Sequence, residues 1–271
     1  MATLVCFHAH PDDEAISTGG LMAKAAAAGH RVVLVCATRG EQGEPQEGVL
    51  DEGEELWERR VVELAEAAKL LGADEPRWLG YEDSGMMGEP TNENPACFWQ
   101  ADHDEAVARF QAILEEVEAD VVTIYDEHGG YGHPDHIRVH TVGLAAARAA
   151  GIEGVYEATM NRTAIQEMRD AAPETFENGD GDEDGDDADF DVDSFGTAAA
   201  DIAYRVDVGE VIEAKRAAMV AHRSQIGPDS LFLAMPDEVF VVAFGSEWFN
   251  IPGRISNGNG PVDVEMLPGL G

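Results

Sequence analysis

A chain of 271 residues, 44% of them apolar, is long enough to bury one full core and stands near the upper size of a single domain. Its 54 acidic against 17 basic residues give a formal charge of −37. That excludes nucleic acid as a partner, because a phosphate backbone would be repelled, and weighs against an anionic membrane surface. The three cysteines, Cys6, Cys36 and Cys97, have no CxxC spacing and argue against a disulfide framework; Cys6 and Cys36 lie inside apolar runs and read as core. With no secretory leader, membrane-length apolar run or internal repeat visible, the expected location is the cytoplasm, without membrane insertion. The acidic residues spread along the whole chain, so a salt-adapted, halophilic protein is expected, its self-repulsion screened by concentrated cations.

In chain order, the apolar run 4–7 predicts a first strand, and helix formers over 19–28 predict a helix capped by Gly29. The run 31–37 predicts a strand buried on both faces, which completes a right-handed βαβ unit. A glycine- and glutamate-rich loop over 38–53 precedes a helix over 54–71, where Leu56, Val61, Leu64, Ala68 and Leu71 recur at helical spacing before Gly72. Trp78 and Leu79 suggest a short third strand, 80–101 a surface loop, 102–117 an amphipathic helix and 121–125 a buried strand. Pro134 starts a helix that runs to Gly151, because its missing N–H needs no partner there. Further elements are a strand at 155–158, a strand at 202–206, a helix over 210–222 and a Gly/Pro-punctuated end that contains the apolar run 239–244. The alternation predicts an α/β fold with a Rossmann-like, mostly parallel sheet, helices on both faces and a smaller C-terminal α+β portion.

Two histidine–carboxylate clusters each follow a predicted strand: His10-Pro11-Asp12-Asp13-Glu14 and His133-Pro134-Asp135-His136. In a parallel α/β sheet both emerge at the same carboxyl edge, where such folds place their sites. A hydrolytic zinc site needs three imidazole or carboxylate ligands and one open position. Pro11 fixes the first turn, and the adjacent carboxylates of Asp12 and Asp13 cannot point the same way, so one is free to bind metal while the other faces the open position as a base. His136 supplies a distant third ligand, and His133 faces the same region. A lone His or Asp at a helix start is usually a cap, but two strand-terminal His-Pro-Asp motifs about 120 residues apart are hard to explain as capping. The same two-histidine, one-carboxylate set suits iron(II) as well as zinc.

These clusters carry a resemblance. His8-Ala9-His10-Pro11-Asp12-Asp13-Glu14 and the stretch from Tyr125 through Gly129-Gly130-Tyr131-Gly132-His133 to His136 resemble the PIG-L/LmbE family of zinc-dependent N-deacetylases. Gly80-Tyr81-Glu82-Asp83-Ser84-Gly85-Met86 and Ala221-His222-Arg223-Ser224-Gln225-Ile226 are similar to its mycothiol-pathway branch, which comprises the deacetylase of N-acetylglucosaminyl-inositol and the mycothiol-conjugate amidase. The resemblance implies a single LmbE-like hydrolase domain over 1–271 that acts on a small N-acetylated amino sugar through zinc-activated water. It implies His10, Asp13 and His136 as zinc ligands and Asp12 as general base. It further implies a positively charged His133 oriented by Asp135, Tyr131 as donor to the oxyanion, and Arg60 and Asp83 at the substrate. His222, with Gln225, would line the pocket, although His222 also ends a predicted helix and suits its dipole there.

The acidic segment 174–193 departs from the rest of the chain, within an insert of about 174–197. Its spacing Asp180-x-Asp182-x-Asp184-Gly185, followed by Asp191, matches a calcium loop, but Asp187 stands where an apolar anchor belongs, and a disordered insertion is the favoured reading. An irregular tail is expected over about 253–271. Other readings are an amidase for a thiol conjugate or other small amide, and a metal-holding sugar-binding protein without turnover. A homo-oligomer is left open.

Overall fold

The computed structural model describes residues 1–171 and 195–271, and the acidic segment with its calcium-like spacing lies outside them. Its strands are β1 (Thr3–His8), β2 (Arg31–Cys36), β3 (Arg77–Trp78), β4 (Val121–Tyr125), β5 (Gly154–Thr159), β6 (Tyr204–Asp207), β7 (Ser246–Asn250) and β8 (Val262–Val264). They form one sheet in the order β3-β2-β1-β4-β5-β7-β6-β8. The first five strands are parallel, while β7 runs antiparallel to both β5 and β6. The strand order reverses between β1 and β4, the switch point at which doubly wound sheets bind their ligands.

The helices are α1 (Asp13–Ser17), α2 (Gly19–Ala27), α3 (Leu56–Leu70), α4 (His103–Glu116), a single turn α5 (Gly129–Gly132), α6 (Pro134–Ala149), α7 (Arg162–Ala171), α8 (Ile212–Ala221) and α9 (Asp237–Phe244). β1 is buried along its whole length because its alternate side chains feed two cores. Leu4 and Cys6 pack with Leu21, Met22, Leu64 and Met219 on one face of the sheet. Val5 and Phe7 pack with Phe110, Leu114, Val139 and Val142 on the other, where the rings of Phe7 and Phe110 stack at 4.1 Å. Truncating either ring would cost about 3–5 kcal/mol, since the site leaves little room to collapse. Asp102 caps α4 by accepting the Glu105 N–H at 3.0 Å.

The expected C-terminal α+β portion joins the same sheet. Glu247 on β7 accepts the N–H groups of Gly20 and Leu21 at 2.7 and 2.8 Å, and takes a 2.6 Å bond from Lys215 on α8. One carboxylate thereby satisfies the open N-terminus of α2 and a buried ammonium. The apolar run near the end forms α9, led by Asp237 and Glu238 in its first turn. The 80–101 segment is not the surface loop its lack of periodicity suggested. It dips into the molecule and buries Asp83, Ser84, Cys97 and Phe98.

Candidate active site

Both clusters emerge at the switch point, one after β1 and one after β4. In the first, Pro11 leads into Asp12 at φ 110° and ψ −32°, a conformation a non-glycine residue holds at a cost of about 1–3 kcal/mol. The Asp12 carbonyl accepts the N–H groups of Ala15 and Ile16, so α1 begins at once. The kink separates the two neighbouring carboxylates. Asp13 turns inward, where its Oδ2 takes the His10 N–H at 2.8 Å, and Asp12 stays at the cleft with 18% of its side chain exposed.

In the second cluster the loop after β4 is set by Asp126, which accepts from His128 and Gly130 N–H and from the Thr159 hydroxyl. Gly129 has φ 64°, and a Cβ there would lie 2.6 Å from that of His136, so only glycine fits. His133 is the N-cap of α6 and Pro134 its first residue, which puts His136 one turn in. The ring of Tyr125 stacks on His136 at 4.3 Å and fixes its orientation.

The structure brings His10, Asp13 and His136 together. Asp13 Oδ2 lies 3.5 Å from Nδ1 of His10 and 3.4 Å from Nε2 of His136. A tetrahedral ion with bonds of about 2.0–2.1 Å has donor–donor edges of about 3.4 Å, which the two spacings from Asp13 match. His133 also offers a ring nitrogen within 4.8 Å of those of His10 and His136. The far nitrogen of His10, Nε2, lies 3.2 Å from Asp135 and 3.4 Å from Asp83, the carboxylate support that metal-binding histidines usually have. Electrostatics agree. Burial works against charge on His10, yet Asp83, Asp13 and Asp135 hold its pKa well above the ordinary value. Burial likewise opposes ionisation of Asp13, but His136 and His10 keep it well below the carboxylate range. The negative field that retains a proton on His10 would equally retain a cation.

Asp12 is pushed up to about 6, chiefly by burial and further by Asp13, with Arg60 pulling the other way. Tyr131, on α5, places its hydroxyl 3.4 Å from Nε2 of His136; burial pushes its phenol up, so it stays a proton donor.

The remaining residues of the expected site take the following places. Asp135 does not orient His133 through its carboxylate. Fully buried, it takes the Ser84 N–H at 2.9 Å and the Ser84 hydroxyl, and faces His10. His133 instead accepts the Asp135 backbone N–H on Nδ1 at 3.1 Å, which leaves the proton on Nε2. Burial, aided by His10 and His136, pushes the His133 ring down to about 3. Arg60 is 3% exposed, and the two terminal nitrogens of its guanidinium bond inside the protein, to the carbonyls of Gly40 at 2.9 Å and Pro11 at 2.5 Å and to Asp12 at 3.1 Å. It holds the base turn rather than a substrate. Gly40 makes room for it, since a Cβ there would run into the guanidinium. Asp83 does reach the cluster, facing His10 at 3.4 Å and His133 at 4.0 Å. His222 is 0% exposed and bonded to Glu14, so it lines no pocket. The participation of Ser84 and Glu14 is not evident from sequence. Ser84 lies in the aspartate–serine–glycine loop, and Glu14 ends the first motif, but neither residue type announces its partner.

The fold and this donor set define an α/β protein with a histidine–aspartate centre suited to a metal ion at the switch point of its sheet. The chain belongs to the PIG-L family: residues 5–147 match the family described as GlcNAc-PI de-N-acetylase, which bears out the resemblance read from the motifs. It is 42% identical over 264 residues to the 1D-myo-inositol 2-acetamido-2-deoxy-alpha-D-glucopyranoside deacetylase of Acidothermus cellulolyticus, covering 91% of this chain and 87% of that relative. It is 37% identical over 293 residues to the corresponding deacetylase 1 of Catenulispora acidiphila, covering 99% and 89%. The N,N'-diacetylchitobiose deacetylase from Pyrococcus horikoshii shares the fold, with a TM-score of 0.57 at 20% identity over 92% of this chain and 82% of that one.

Proposed function

We propose that this chain is a zinc-dependent N-deacetylase that removes the acetyl group from an N-acetylglucosaminyl unit joined to a small polyol such as inositol. The observation that carries the reading is the donor set, with Asp13 at 3.5 and 3.4 Å from ring nitrogens of His10 and His136 and a separate carboxylate, Asp12, at the cleft beside them. The relatives named for a deacetylase of an acetamido-glucopyranosyl inositol supply the substrate class. His10, Asp13 and His136 would hold the ion, which when bound supplies an activated water and polarises the amide carbonyl.

The chain's own groups do the rest. Asp12 accepts the proton of the attacking water, and its pKa of about 6 suits a base that works near neutrality. Tyr131, through its hydroxyl, and His133, through Nε2–H, donate to the oxygen on which negative charge develops. Asp12, having taken that proton, is placed to return it to the leaving amine. Asp12 must be ionised to act, so kcat/KM should fall as pH drops through about 6 and level off above it; a pH–rate profile flat across that range would remove the base assignment.

Acetate release from a panel of N-acetylglucosaminides is the direct test. Release that chelation abolishes and zinc restores is expected. A chain that binds zinc stoichiometrically yet releases acetate from no member would instead be a metal-holding sugar-binding protein, and preference for a thiol conjugate would make it an amidase. Among the described residues no helix is long and apolar enough to cross a membrane. The charge of −37 supports a salt-adapted protein; equal stability in molar KCl and dilute buffer would contradict the salt adaptation.

A further inference from the structure

A buried pair behind the base turn has no task in the chemistry above. Glu14 is 0% exposed, and its Oε2 accepts the Asp12 N–H at 2.9 Å while its Oε1 meets Nε2 of His222 at 2.6 Å. His222 comes just after α8, lies 208 residues further along the chain and is also 0% exposed. Neither side chain faces the cleft. What Glu14 touches is the backbone of Asp12, whose φ of 110° the chain would not adopt unaided.

The peptide groups around that residue are gripped from outside. Arg60 holds the Pro11 carbonyl, the start of α1 holds the Asp12 carbonyl, and Glu14 holds the Asp12 N–H. The bonds to α1 would accompany any helix start, whereas Glu14 is a side chain recruited to one strained peptide. A buried carboxylate needs a second partner to keep a single orientation, and the short bond to His222 supplies it. Nδ1 of His222 is buried with no hydrogen-bond partner among the described residues, so the ring is aimed by Glu14 alone. A residue present only to fill this volume would do better as an apolar ring, which leaves no orphaned nitrogen.

We propose that Glu14 and His222 are positioning residues for the base: together they lock Asp12 in its left-handed turn, so that its carboxylate meets the water rather than the metal. This rests on the deacetylase reading. Glu14→Ala should lower kcat on the order of 10²-fold with KM and zinc content unchanged, because misplacing a reacting group by about an ångström has that effect. Glu14→Gln, whose amide oxygen can still accept the Asp12 N–H, should recover most of the loss.

A crystal structure of Glu14→Ala gives a readout independent of turnover: Asp12 is expected to relax to negative φ, and to keep its positive φ in Glu14→Gln. An Asp12 that stays at positive φ in Glu14→Ala, or a wild-type kcat in that variant, overturns the proposal. If Glu14→Ala does not fold, His222→Ala carries the test, with reduced kcat at unchanged KM expected and unchanged kcat refuting the pairing. Failure of wild-type protein to release acetate would sink the deacetylase reading alone, since the Asp12 backbone in the variants would still decide the positioning claim.

Discussion

The triplet His-Pro-Asp occurs twice at the carboxyl edge of the sheet and folds in two different ways. In the first copy the aspartate, Asp12, sits at φ 110° and remains at the cleft; in the second the proline opens α6, and Asp135 turns under the site and is fully buried. The histidines diverge as well, for His10 joins Asp13 and His136 whereas His133 caps a helix. The difference comes from the neighbours of each triplet. Asp13 and Glu14 draw the first turn inward by accepting backbone N–H groups, and the second has the loop set by Asp126 behind it. Equal letters acquire unequal chemistry from the peptide geometry that carries them.

Substitutions in the triplets and at His136 should break that contrast most sharply. His136→Ala and His10→Ala should lose both metal and activity, while Asp12→Ala should keep stoichiometric zinc and lose turnover by ~10²-fold or more; zinc analysis beside acetate release separates them. Asp135→Asn comes next. Because Asp135 faces His10, zinc affinity should weaken about 10–100-fold, as measured by competition with a chelator. Unchanged affinity with reduced kcat would assign Asp135 to His133 instead.

Glycine and alanine substitutions probe the two backbones with a smaller effect. At position 12 glycine should be more stable than alanine by about 1 kcal/mol because it tolerates positive φ. At position 135, inside the first turn of α6, alanine should be the more stable by about 1 kcal/mol. Denaturant unfolding that gave the same order at both positions would erase the distinction.

The mildest test concerns the strand beside the second loop. Burial pushes Glu157 on β5 up to about 7, with Asp126 and Glu127 adding to the rise. Its folded pKa exceeds its ordinary value, so stability is lost as pH rises from about 4.5 to about 7. Glu157→Gln should therefore raise Tm by a few degrees near pH 8 and leave it unchanged near pH 4.

The central strands were legible in the sequence because β1, β2 and β4 are buried on both faces and read as apolar runs. The edge was not. β7 alternates Glu247 and Phe249 inward with half-exposed neighbours over five residues, too short and too polar to stand out. That the two His-Pro-Asp clusters would meet could be read because each follows a central parallel strand, where direction in space follows from topology. Arg60 and His222 were misplaced for the opposite reason. Each lies on a helix or at its end, and whether its side chain reaches the cleft or the back of the turn depends on packing between elements far apart in sequence. The segment around Asp83 and Ser84 lacks periodicity because its burial serves Asp135 and His10 rather than a repeating face.

The absent side chain at Gly40 bears on where harm can arise in this molecule. The hollow it leaves is filled by a guanidinium that reaches the base from a helix 20 residues downstream. A methyl group there would evict that cation and loosen the proton acceptor without approaching either ion or sugar. A screen for inactive variants should recover this position alongside the motif residues, because proximity to the reaction is a poor guide to vulnerability when the acceptor is braced from behind.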